Sequence, residues 1–187
     1  MPTTASPRRD ELLELAYRYA LEHGVADLSL RPLAAAVGSS PRVLLFLFGS
    51  KAGLVQALLA RAREDELALL DRARTMAARP PEDGDPLAVT AEVWRWLAAE
   101  EHRALLKLWV EGYARSLIEP DGPWGGFAER TVGDWLDVLG EGTLDTVLRT
   151  LLLAVLRGAM LDLLATGDVE RLDAAVSRQL ELLRSAR

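Results

Sequence analysis

Apolar residues recur along this chain at three- and four-residue spacing from one end to the other, and no stretch sustains the alternation of a half-buried strand. That single pattern confines the chain to an all-helical fold. The abundance of Leu and Ala over Val and Ile points the same way, because β-branched side chains lose rotamer freedom in a helix. At 187 residues, half of them hydrophobic, the chain has enough apolar surface for one domain or two small ones with a sizeable core. Cysteine is absent, which excludes disulfide scaffolds, thiolate metal sites and cysteine nucleophiles. His23 and His102 are the two histidines, too few for a site built on three. Neither a metal nor a cofactor is expected. The longest run free of Asp, Glu, Lys and Arg is the ten residues Pro32–Pro41, whereas a membrane helix needs about 20. Met1–Pro7 lacks the apolar core of a signal peptide and reads as a short flexible tail. The expectation is a soluble, cytoplasmic protein with no membrane attachment.

Helix stops and starts are written plainly in the first 50 residues. Ser6 and Pro7 suit the opening of a first helix, whose apolar face is Leu12, Leu13, Ala16, Tyr17, Ala20 and Leu21, and Gly24 is placed to end it. A short second helix follows Ser29, with Leu30, Leu33, Ala34 and Val37 inward, and breaks at Gly38. Ser40 caps a third helix over Arg42–Leu47, with Pro41 in its first turn, and Gly49 closes it. Ser50 then caps a long fourth helix, Lys51 to Ala78. Arg79-Pro80-Pro81-Glu82-Asp83-Gly84-Asp85-Pro86 is the clearest break in the chain. Beyond it the spacing predicts helices near 86–99, 101–118, 124–140, 143–166 and 168–185, with a turn at Glu119–Pro123 and a stop at Gly167.

The net charge of −6 argues against a general nucleic-acid binder, but its distribution is uneven. Residues 1–64 carry eight basic and six acidic side chains, and the remainder carries 14 and 22. A mildly basic head therefore precedes an acidic body. Within that head, two short helices joined by a Gly-containing turn match a helix-turn-helix, in which a short rigid helix enters the major groove.

The stretch Leu28-Ser29-Leu30-Arg31-Pro32-Leu33-Ala34-Ala35-Ala36-Val37-Gly38-Ser39-Ser40-Pro41-Arg42-Val43-Leu44, continued through Phe48-Gly49-Ser50-Lys51 to Leu54, resembles the TetR/AcrR family of transcriptional regulators. Ala16 and Gly24 upstream also fit. The resemblance implies an N-terminal helix-turn-helix DNA-binding domain over 1–50. A C-terminal helical domain for effector binding and dimerisation would occupy 51–187, with the fourth helix connecting the two. It also implies that the third helix reads an operator. Ser39, Ser40, Pro41, Arg42, Val43, Leu45 and Phe46 then lie on or near the DNA-facing surface, with Arg42 as the best candidate for a base or phosphate contact. Lys51 matches the family lysine that pairs with phosphate, and Ser29 and Arg31 open the second helix where phosphate passes. The chain departs from the family at Leu45-Phe46-Leu47, where one or two tyrosines and a histidine are usual. It departs again at Ala52-Gly53, where the usual glutamate is missing and the helix start is weakened. Leu45 and Phe46 suit thymine methyls or sugars, or else mark a degenerate head that binds DNA poorly or docks to protein, and Phe46 reads equally as core packing. Phe48 is expected in the core.

All five tryptophans fall between residues 94 and 135. The family's larger domain holds a small effector between its helices, so the candidate lining is Trp94, Trp109, Tyr113, Phe127 and Trp135, with His102, Arg103 and Glu111 as polar contacts. An aromatic stripe at helical spacing is more often core than pocket, so the same residues also read as a core. His102 reads as partly exposed, and His23 as a partner for the end of the first helix. Asp162, an odd charge in an apolar run, is expected to cap, to pair with Arg149 or Arg157, or to face a cavity. Leu144, Val147, Leu148, Leu151, Val155 and Gly158, widened by Leu152, Leu156 and Ala159, together with Leu172, Val176, Leu180 and Leu183, read as a homodimer interface through the last two helices. No phosphate loop, metal cluster or nucleophile constellation argues for an enzyme. The reading is a dimeric one-component regulator, a repressor by the family's habit, that binds a palindromic operator in double-stranded DNA and answers to a small-molecule effector. The alternative is a helical ligand- or protein-binding dimer with a decayed head.

Overall fold

The computed structural model describes residues 7–25, 27–77, 85, 87–140 and 144–185. The expected tail and Ser6 cap, and all of the Arg79–Pro86 break except Asp85, lie outside the described residues. Among those residues there are nine α-helices, one 3-10 turn and no strand: α1 Pro7–His23, α2 Leu30–Ala36, α3 Pro41–Phe48, α4 Lys51–Ala77, α5 Ala88–Ala98, the 3-10 turn Glu100–His102, α6 Arg103–Ile118, α7 Phe127–Gly140, α8 Thr146–Thr166 and α9 Val169–Ser185.

The local chemistry accounts for the boundaries. Gly24, Gly38, Gly49 and Gly167 all adopt the positive φ that ends a helix without a Cβ clash. α7 begins three residues later than the apolar spacing suggests. Consecutive turns run through Gly122, Gly125 and Phe127, whose N–H groups bond to the carbonyls of Glu119, Gly122 and Trp124 at 3.0 Å each. A Cβ on Gly125 would collide with the Pro120 carbonyl, so this tight corner depends on glycine. α8 is capped by Asp145, whose Oδ1 accepts from the Leu148 N–H at 2.8 Å.

The chain divides into two compact units, which do not follow chain order. The first comprises Met1–Asp65 and Lys107–Ala128, the second Glu66–Leu106 and Glu129–Arg187. In the first unit, Leu12, Ala16, Tyr17 and Ala20 of α1 are buried, as are Leu33 and Ala34 of α2, Leu44 and Phe48 of α3, and Leu54, Val55, Leu58, Leu59 and Ala62 of α4. Phe48 is thus core, as expected. A polar clamp joins α1 to α4. The Tyr17 hydroxyl donates to Asp65 at 2.8 Å, and Arg61 bonds to Asp65, reaches Glu14 at 2.5 Å and lies over the Tyr17 ring. Burial, then the bond to Asp65, holds the Tyr17 phenol well above its ordinary pKa, so this group stays a donor. α6 approaches α4 closely at Gly112, where a Cβ would crowd Phe127 and Leu59.

In the second unit the core is Val93, Trp94 and Leu97 of α5, Leu152, Leu153, Leu156 and Leu163 of α8, and Leu172, Val176 and Leu180 of α9. This corrects part of the expected interface. The stripe of α9, with Leu152 and Leu156 of α8, turns inward and fills its own unit. Val147, Leu151 and Gly158 of the expected α8 stripe are outward, joined there by Ala154, Leu161 and Ala165, whereas Leu144 is buried and Leu148, Val155 and Ala159 are half-buried. Asp162 is also corrected. It pairs across the Gly167 turn with Arg171 of α9, Nη1 to Oδ2 2.8 Å, and not with Arg149 or Arg157, and the Arg171 hydrogen bond lowers its pKa.

Candidate nucleic-acid interface

The α2–α3 connection is built from backbone capping. At the end of α2 the Ser39 N–H reaches back to the Ala34 carbonyl at 2.8 Å and the Gly38 N–H to that of Ala35 at 3.3 Å, with Gly38 at φ 63°. These nested bonds are a Schellman closure, which satisfies the carbonyls a helix leaves unpaired. Two residues later the Ser40 side chain accepts from the Val43 N–H at 3.3 Å, and Pro41 occupies the first position of α3. One residue, Ser39, therefore separates the closure of one helix from the cap of the next. The turn is short and its direction is set.

The far end of α3 is held as firmly. Gly49 turns at φ 76°, and Ser50 Oγ accepts from the Gly53 N–H at 2.9 Å. The start of α4 is thus capped even without the family glutamate. Gly53 has its own role, because a Cβ there would strike the Phe48 carbonyl oxygen. What the sequence suggests as a weak point is the place where α3 and α4 approach too closely for any side chain. The Arg9 guanidinium lies 5.1 Å from the centre of the buried Phe48 ring.

With Leu44 and Phe48 anchored inward, the opposite side of α3 faces out. Arg42 and Phe46, one turn apart, form its centre, and Val43 and Leu45 flank them. Phe46 is 85% exposed, Val43 40% and Leu45 39%. Ser29, Arg31, Ser40, Arg42 and Lys51 are exposed, while Ser39 and Pro41 are half-buried. Ser29 precedes α2 without making a side-chain capping bond. Among the described residues, no carboxylate pairs with Arg31, Arg42 or Lys51. Exposed cations on α3 and at the starts of α2 and α4 suit a polyanion. Beside this head, His23 stacks on Tyr19 with ring centres 4.0 Å apart, and its Nδ1 lies 2.9 Å from the Tyr19 carbonyl at the end of α1.

The candidate effector residues fall four to each unit. In the first unit Trp109 and Phe127 are buried and Tyr113 is half-buried. There Glu111 accepts the Val25 N–H at 2.9 Å and so ties α6 to the loop between α1 and α2. In the second unit the Trp94 indole donates to Asp173 at 2.6 Å, and Arg103 donates to the Leu163 carbonyl at 3.3 Å. His102 is half-buried, stacked on Trp96 at 3.7 Å. Trp135 donates to Glu66 at 2.6 Å. Glu66, fully buried, was not among the sequence candidates. Its signal is that it continues the apolar Leu58, Ala62 row of α4 at the next four-residue step. Among the described residues no cluster of His, Asp and Glu is arranged to hold a metal, and no single helix is long and apolar enough to cross a membrane.

Two short helices joined by a tight capped turn, with an outward face on the second and an all-helical body following in sequence, define the helix-turn-helix class of DNA-binding protein. Residues 12–58 match the profile of the tetR family of bacterial regulatory proteins. The chain is 30% identical over 134 residues to the HTH-type transcriptional regulator Rv1816 of Mycobacterium tuberculosis, a span of 71% of this chain and 56% of that protein. The match thus covers little more than half the length of this relative. Among solved structures it is similar to the multidrug binding protein EbrR. The imidazole complex matches at 26% identity with a TM-score of 0.68, covering 95% of this chain and 93% of EbrR. The proflavin complex matches at 28% and 0.63, covering 91% and 98%. The chain belongs to the TetR family, a family of transcriptional regulators and not of enzymes.

Proposed function

We propose that this chain is a one-component transcriptional regulator that binds a palindromic operator as a homodimer, acts in the cytoplasm, and is released or modulated by a small-molecule effector. Repression is the sign we assign to it. The observation that carries the reading is the outward face of α3, fixed by caps at both ends and accompanied by the exposed cations Arg31, Arg42 and Lys51. Those cations supply the phosphate contacts that set register, and α3 supplies the contact with base edges. We take 1–50 as the reading head. The outward stripe of α8 from Val147 to Ala165 is the surface we assign to a second copy, because a two-fold pair presents two heads to one palindrome.

For the effector, EbrR is the supporting comparison, since it has been solved with imidazole, with proflavin and with malachite green. We assign the effector of this chain to the second unit. The buried, hydrogen-bonded pair of Trp135 and Glu66 is the aromatic and acidic couple that we assign to a small aromatic molecule able to donate a hydrogen bond. Bound effector shifts the dimer between DNA-competent and incompetent states by its difference in affinity for them.

The exposed Leu45-Phe46 pair favours a second reading, a ligand- or protein-binding dimer whose head has lost DNA binding. Incubating the purified protein with sheared DNA of its source across a salt series, then sequencing what is retained, separates the two. An enriched palindrome supports the regulator. Folded dimer with no enriched sequence at any salt supports the decayed head. Restoring Tyr at 46 and His at 47 would then return binding.

A further inference from the structure

Arg42 is the last hydrogen-bonding side chain on α3: after it come Val43, Leu44, Leu45, Phe46, Leu47 and Phe48. Leu44 and Phe48 are buried, so what α3 turns outward is one guanidinium and three apolar groups, with Phe46 at the centre of the face. Such a face has almost no vocabulary for the donors and acceptors of base edges. The major groove offers one apolar feature, the C5-methyl of thymine, and apolar side chains recognise it by contact. Because Phe46 stands one turn beyond Arg42, a base pair read by Phe46 lies close to the one contacted by Arg42. The occupant is argued from charge as well as shape, since Arg42 shares the face with Phe46 and Arg31 of α2 and Lys51 of α4 add exposed cations that suit a polyanion.

We propose that Phe46, supported by Val43 and Leu45, is the specificity-determining group of this head and reads thymine methyls. The inference rests on the DNA-binding reading above. The operator then carries a thymine in each half-site at the position facing Phe46, and the discrimination there comes from a methyl group and not from a hydrogen bond. Cytosine methylated at C5 places the same methyl in the groove and partly replaces thymine at that position.

The test uses the full-length protein and the palindrome enriched from genomic fragments. Each thymine of the half-site is replaced in turn by deoxyuridine, which removes the methyl and leaves the pairing edge unchanged, and affinity is read by fluorescence anisotropy. The expected result is a loss of about fourfold per methyl at one or two positions in each half-site, the factor that burial of one methyl-sized group gives. In Phe46→Ala that sensitivity disappears, so wild type and variant differ on the thymine operator and converge on the uridine operator. Phe46 is a surface side chain, so circular dichroism of the variant should match the wild type. Specific binding that no uridine substitution weakens, or a Phe46→Ala variant that keeps the full uridine penalty, overturns the proposal while leaving the DNA-binding reading in place. Retention of no sequence overturns both.

Discussion

Among the described residues, α3 and α8 each turn a run of apolar side chains to solvent, and the differences between those faces are instructive. The face of α3 is about 12 Å long, is centred on Phe46 and is accompanied by Arg42, Arg31 and Lys51. The stripe of α8 is about 30 Å long and runs Val147, Leu151, Ala154, Gly158, Leu161, Ala165 without a charge. Val147 is as exposed as Phe46, 81% against 85%. Exposure alone therefore does not say what covers a face. Extent, charge and side-chain size do. A long uncharged stripe with Ala and Gly at its middle admits another helix at close range. A short face that carries Arg42, with Arg31 and Lys51 exposed on the helices before and after it, suits a groove lined by phosphate.

The comparison breaks most visibly at α8. Val147→Glu with Leu151→Glu should leave the fold intact and turn a dimer into a monomer in sedimentation velocity. Loss of the second head should lower operator affinity on the order of 100-fold or more, because the second half-site binds at high effective concentration only while the heads are linked. A double variant that sediments as a dimer would remove α8 from the interface. At α3, Arg42→Ala should weaken operator binding by about 1–3 kcal/mol and relax preference at its base pair. Lys51→Ala should weaken all sequences alike and reduce the slope of log K against log salt by about 1. Unchanged binding in both variants would count heavily against this surface.

Smaller effects sharpen the account of how α3 is held out. Gly53→Ala gains about 1 kcal/mol of helix propensity in isolation. The collision with the Phe48 carbonyl should nonetheless reverse the sign and lower the melting temperature. A variant that melts higher would show that α3 and α4 relax apart at no cost. Ser40→Ala should cost about 1 kcal/mol through loss of the cap on Val43. Phe46→Ser should be the smallest in stability, within about 0.5 kcal/mol, since nothing packs over that ring.

The contrast also explains what was legible in the sequence. α1 to α4 could be bounded from residues alone because their ends are set locally, by Gly24, Gly38 and Gly49 at the stops and by Ser40 and Ser50 at the starts. The outward set on α3 comes instead from the family resemblance, and of that set Arg42, Val43, Leu45 and Phe46 are exposed on the helix while Pro41 is half-buried. Where partners are distant in sequence, reading failed. Asp162 finds Arg171 across a helical turn that brings two helices together, which spacing along one helix does not suggest. Glu66 shares the apolar row of α4, yet only folding brings Trp135 to it, 69 residues away. The stripe of α9 had the right period for an interface, but periodicity cannot tell which of two apolar faces in a helix pair meets its own unit and which meets another.

The fixed turn at Ser39 has a consequence for adaptation. The angle between α2 and α3 is set by main-chain bonds and by the hydroxyl of Ser40, and none of these involves the four outward side chains at 42, 43, 45 and 46. Those four positions can be exchanged as a cassette while the mount that presents them stays unchanged. On the proposed reading of α3, new addresses on DNA can be written into this protein, by drift or by engineering, without renegotiating its fold.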